Sequence, residues 1–87
     1  MGKKKKISRE RKVWEDQEKS YLKQLGENII RIKKERGIKS KEIYEELEID
    51  KSNYRRIEAG KTNISVLLLR RIASVLEVPV NELMKEK

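Results

Sequence analysis

Leu22, Leu25, Ile29 and Ile32 recur at intervals of three, four and three, which places them on one face of a helix. Gly37 then supplies a residue free to turn left-handed, and ends that helix. A second helix runs from about Ser40 to Leu47, with Ile43 and Leu47 four apart. Asp50 opens a third, because its carboxylate can accept the amide protons of Ser52 or Asn53. Tyr54 and Ile57 face inward from that helix, and Gly60 closes it. Ser65 caps a fourth helix whose buried stripe is Leu69, Ile72, Ala73 and Leu76. Pro79, with its preset backbone angle, starts a last short helix ending in Leu83. The pattern predicts an all-α fold of five helices.

Ahead of Leu22 the pattern weakens. Residues 8–23 are mostly charged, with Val13, Trp14, Tyr21 and Leu22 as the apolar members. Mixed Glu and Lys spacing supports a helix there through pairs four apart. Without a continuous apolar stripe, Trp14 needs something to pack against, in this chain or in a second copy. Residues 1–6 are a lysine run with nothing apolar to anchor it, which implies a disordered arm. Its default reading is a solvated tail; as a functional element it would reach toward phosphates, and nuclear targeting is a weaker third reading. The chain thus divides into a basic arm, disordered or helical, over 1–20 and a folded domain over 21–85.

Composition supports this picture. Eighty-seven residues make one domain. Charged residues are 44% of the chain against 36% hydrophobic, so the core is small and built from narrow helical stripes. One Pro, four Gly and no Phe leave few turn signals, which favours helices over many short strands. The absence of Cys leaves no disulfide framework and fits a cytoplasmic protein. The longest apolar run, Val66 to Leu69, is too short to span a bilayer or to act as a signal core. Asn63 to Ser65 spells a glycosylation sequon, read here as a loop and a cap. With neither His nor Cys, and with no Gly-rich phosphate loop, an enzyme, a metal site, a cofactor and a small-molecule ligand are not expected. The net charge of +8 favours a polyanionic partner without naming it.

The second and third helices, joined by a few residues around Glu48 to Asp50, have the layout of a helix-turn-helix. Such a unit docks its second helix in the DNA major groove, where each base pair displays a distinct donor and acceptor pattern. With Tyr54 and Ile57 turned inward, Lys51, Ser52, Arg55 and Arg56 face outward. Arg56 lies one turn beyond Lys51 and Ser52 on the same face. It can offer a guanine two hydrogen bonds, worth ~1–3 kcal/mol of discrimination. Arg55, beside them, is assigned to a phosphate.

The pieces "LGENIIRIKKERGI", "KEIYEELEIDKSNYRRIEAGKTNIS" and "LRRIASVLEVPVNELM", in that order and spacing, resemble the Cro/C1-type (XRE) helix-turn-helix family of phage repressors and small bacterial regulators. The resemblance covers residues 25–85 and implies a lambda-repressor-like domain that binds double-stranded DNA. It implies base contacts at Lys51, Ser52 and Arg56. Phosphate contacts are implied at Ser40 and its neighbour Lys39, where a helix start presents free amides, and at Lys61 and Asn63. It also implies a structural tie between Glu58 and Lys33. Relatives commonly form dimers through C-terminal helices, so a homodimer on a palindromic operator is expected.

Three departures stand out. Lys39-Ser40 replaces a common Ser-Gln, Tyr44 replaces alanine, and Glu48 replaces a glycine whose left-handed geometry costs other residues about 1–2 kcal/mol. Tyr44 would tilt the recognition helix outward or lie over its edge. Leu67 and Leu68, where the family is polar, are either scattered surface residues or, with Trp14, a dimer or partner surface. The competing reading is an antitoxin or adaptor that holds a protein partner on that surface. A membrane or RNA binder using only the lysine arm ranks behind both.

Overall fold

The computed structural model describes residues 3–86, and the side chains of residues 13–86. The elements are α1 (Lys3–Arg36), α2 (Ser40–Glu46), α3 (Lys51–Glu58), α4 (Val66–Leu76) and α5 (Val80–Leu83), and no strand occurs among the described residues. All five expected helices are present. The core lies where their stripes meet: Leu25, Ile29 and Ile32 from α1, Ile43 from α2, and Tyr54 and Ile57 from α3. Leu69, Ile72, Ala73 and Leu76 of α4 and Leu83 of α5 complete it. Leu22, the first member of the expected stripe, is only half-buried.

Of the two alternatives for the basic arm, disordered or helical, the described residues take the helical one. Lys3 to Lys6 belong to α1, which continues without a break through the basic segment into the domain. Met1 and Gly2 lie outside the described residues. The molecule is 52 Å long, as a 34-residue helix rising about 1.5 Å per residue requires.

The first four helices end in the same way, on a residue in left-handed conformation followed by an amide that reaches back five residues. Gly37 (φ 67°) and Gly60 (φ 71°) do so as expected, with Ile38 N–H donating to the Lys33 carbonyl at 2.9 Å and Lys61 N–H to the Arg56 carbonyl at 2.9 Å. Glu48 (φ 54°) and Glu77 (φ 60°) do so without glycine's freedom. The turn between α2 and α3 therefore takes the geometry that the sequence departs from, closed by Ile49 N–H on the Tyr44 carbonyl at 2.8 Å. Glu48→Gly is expected to stabilise the fold by about 0.5–1 kcal/mol, the relieved strain exceeding the added unfolded-state freedom. Urea unfolding checks this; an unchanged midpoint would mean that the Glu48 side chain offsets its own strain.

Gly26 marks where α1 crosses the end of α3. A Cβ there would stand 2.2 Å from the Glu58 carbonyl oxygen, so the helices approach to backbone contact. Gly26→Ala is expected to cost about 3 kcal/mol, because the obstacle is backbone rather than a movable side chain. Thermal unfolding should show the loss. Two residues further along α1, the buried Asn28 donates to the Leu83 and Lys85 carbonyls at 2.8 Å each and accepts from Gln24 at 3.0 Å. This fastens α5 to α1.

Candidate nucleic-acid interface

α3 begins at Asp50, whose carboxylate accepts from Ser52 N–H at 3.1 Å and Asn53 N–H at 3.4 Å, and also from the Ser52 hydroxyl. The Ser52 hydroxyl, with the Asn53 amide next, holds the Asp50 carboxyl below the usual carboxylate range. Both amide donors expected of the cap are therefore used. The hydroxyl proton of Ser52 is also committed, which leaves its oxygen to outside partners as an acceptor.

Two anchors fix the orientation of α3. Tyr54 is fully buried and Ile57 nearly so. Tyr44 of α2 packs partly against the core, its ring centroid 6.0 Å from that of Tyr54 and tilted by 48°. Tyr44 therefore lies against the recognition helix rather than standing clear of it, a contact worth ~0.5–1.5 kcal/mol beyond its burial.

Glu58 is the second anchor. Its carboxylate accepts from Lys33 Nζ at 2.6 Å, from the Tyr54 hydroxyl at 2.6 Å and from the Ser40 hydroxyl at 3.3 Å. Lys33 also donates to the Ser40 hydroxyl. The tie between α1 and α3 is present as expected, but it is a four-residue cluster and not a pair. Burial, and then the Glu58 carboxylate, hold the Tyr54 phenol far above its ordinary range, so it remains a donor. The Ser40 hydroxyl turns into this cluster. Any phosphate contact there falls to the backbone at the start of α2, where the first turn of a helix leaves amides free. Lys39 N–H is already taken by Glu42 at 2.7 Å.

With Tyr54, Ile57 and Glu58 inward, a turn of about 100° per residue points Ser52 and Arg56 directly outward. Lys51 and Arg55 flank them on one side and Asn53 on the other. All five are exposed. Asn53 was noticed in the sequence only for its amide; an exposed carboxamide one turn before Arg56 is the signal that marks it, since asparagine pairs with adenine edges. Lys61 and Asn63 are exposed in the loop after α3. There the Asn63 side chain accepts from Ile64 N–H at 2.9 Å and stiffens the loop. Lys39 is exposed at the start of α2.

Trp14, Leu67 and Leu68 separate. Leu68 packs partly against the core, whereas Trp14 and Leu67 remain 53% and 66% exposed on α1 and α4. Among the described residues no group of His, Cys, Asp or Glu is placed to hold a metal, and no helix is long and apolar enough to cross a membrane.

A short helix, a left-handed turn and a second, firmly anchored helix with basic and polar side chains outward define a DNA-binding helix-turn-helix domain. The chain belongs to the helix-turn-helix family, whose model matches residues 29–83, and it is of the Cro/C1 (XRE) type that its motifs resemble. Over 45 residues it is 47% identical to the plasmid copy control protein CopR of Streptococcus agalactiae, a match covering 51% of this chain and 49% of that protein. The chain thus spans about half the length of the curated relative it matches. No solved structure matches it.

Proposed function

We propose that the chain is a transcriptional regulator that binds a preferred double-stranded DNA sequence as a homodimer on a palindromic site. α3 lies in the major groove, with Lys51, Ser52 and Arg56 reading bases and Asn53 beside them. Lys39, Arg55, Lys61, Asn63 and the backbone at Ser40 hold phosphates. The observation that carries this reading is the outward face of α3, a cationic row on a helix that the Glu58 cluster and Tyr54 prevent from rolling. A loosely held basic helix would bind any phosphate surface; a fixed one can discriminate base edges. The half-length likeness to a plasmid copy control protein extends a regulatory role to this chain, and leaves the regulated gene open.

Three cationic phosphate contacts per chain predict a log–log slope of affinity on salt of about −3 per bound chain. Titration of labelled duplex from low to moderate salt measures it. Lys61→Ala should weaken binding to every sequence alike and reduce the slope by about 1. A slope near zero would contradict the phosphate assignments.

A further inference from the structure

The contact between α2 and α3 leaves a hydroxyl over. Tyr44 packs its ring against Tyr54, with centroids 6.0 Å apart, yet is only partly buried. Among the described residues the Tyr44 hydroxyl has no hydrogen-bond partner, and no unpaired side-chain polar atom is sealed from solvent. That hydroxyl therefore opens to the surface.

Helical spacing decides where it opens. Ser40 and Tyr44 stand four apart on one row of α2, and Tyr54 and Glu58 four apart on one row of α3. The two rows meet: the Ser40 hydroxyl donates to Glu58 at 3.3 Å, and Tyr44 lies on Tyr54. On the core side of this contact are Ile43 and Ile57, both buried. Its other side is bounded by the α3 row three residues back, Lys51 and Arg55, both exposed. Side chains on a helix lean toward its N-terminus. Tyr44 thus leans toward Ser40 and away from Glu48, the acid one turn beyond. These directions lead its hydroxyl into the notch between the start of α2 and the Lys51–Arg55 edge of α3.

We propose that Tyr44 is a further DNA contact, its hydroxyl donating to a backbone phosphate that sits in this notch. The inference rests on the reading above, in which α3 occupies the major groove while Arg55 and the backbone at Ser40 hold phosphates. A strand held by both passes over the notch between them. A phenol is an uncharged donor, so it grips a phosphate oxygen without the counterion release that a lysine or arginine brings. Tyr44 thereby adds affinity without adding to the salt dependence, and positions the strand without reading a base.

Tyr44→Phe in the full chain tests this, since it keeps the ring on Tyr54 and removes only the hydroxyl. Binding to a preferred and to a scrambled duplex should weaken alike, by about 10-fold per bound chain, as loss of a hydrogen bond to a charged group does. The log–log slope on salt should stay that of the intact protein, whereas Lys61→Ala lowers it. Thermal unfolding should not move, because the hydroxyl has no partner in the fold. In a series of duplexes, each carrying one uncharged methylphosphonate, one position should weaken the intact protein more than Tyr44→Phe. Undiminished binding by Tyr44→Phe, a loss confined to the preferred duplex, a lowered salt slope, a lowered unfolding temperature or equal losses at every methylphosphonate would each overturn the proposal. Where the intact protein selects a preferred duplex, any of these results leaves base reading by α3 standing. An intact protein that prefers no duplex would instead overturn that reading, and the Tyr44 contact with it.

Discussion

Glu58→Ala is expected to remove about 3 kcal/mol or more of folding stability, a large share of what a domain of this size possesses. Lys33 and Glu58 are mostly shielded, their side chains 13% and 16% exposed. Deleting the carboxylate therefore strands a cation, the buried Tyr54 hydroxyl and the Ser40 hydroxyl together. Each loses a charge-assisted acceptor that water cannot readily replace. In thermal unfolding the loss corresponds to a fall of about 12 °C or more. Glu58→Gln, which keeps an acceptor for Tyr54 and Ser40 but ends the ion pair, should fall between the two. Replacing both charged partners, as Lys33→Met with Glu58→Leu, should recover only the part of the loss due to the stranded cation, since the Tyr54 and Ser40 hydroxyls still lack their acceptor. A loss below about 1 kcal/mol for Glu58→Ala would mean that water reaches the cluster and that it is not an anchor.

Arg56→Ala is expected to leave stability unchanged, because the side chain is exposed, yet to cost ~1–3 kcal/mol of preference for the correct base. Lys51→Ala added to it should take a further increment on the same scale, at a different base position, if the two side chains read separate pairs. Arg56→Lys should behave nearly as badly as alanine, since an ammonium lacks the planar fork that grips two guanine acceptors at once. Competition between a preferred and a scrambled duplex at constant salt separates this from simple loss of charge. Equal weakening on both duplexes would make Arg56 a phosphate contact.

The two variants probe different layers, and the sequence revealed them unevenly. Local signals were legible: Asp50 and Ser65 as caps, Gly37 and Gly60 as stops, Pro79 before α5, all set by a few adjacent residues. The core stripes were legible for the same reason, since helical periodicity is a local property. The Lys33–Glu58 tie came through family resemblance, but Ser40 and Tyr54 as its further members did not. Their participation depends on how α2 and α3 cross. Asn28 was invisible in the same way, for its partner Leu83 lies 55 residues away and is a backbone carbonyl that no residue type announces. Gly26 reads as an ordinary helical glycine until the end of α3 is placed against it. The charged half of α1 was legible over residues 8–23 through its mixed Glu and Lys spacing; only the extension back to Lys3 was not, because no apolar residue marks the lysine run.

The central claim, that α3 reads sequence, is tested most directly by selecting bound fragments from random double-stranded DNA with the intact protein and with Arg56→Ala in parallel. The account predicts an enriched motif for the intact chain, with two inverted half-sites about one turn apart. It predicts the same motif for the variant, relaxed at one symmetric pair of positions. No enrichment with the intact protein, or a motif unaltered at every position in Arg56→Ala, would contradict it.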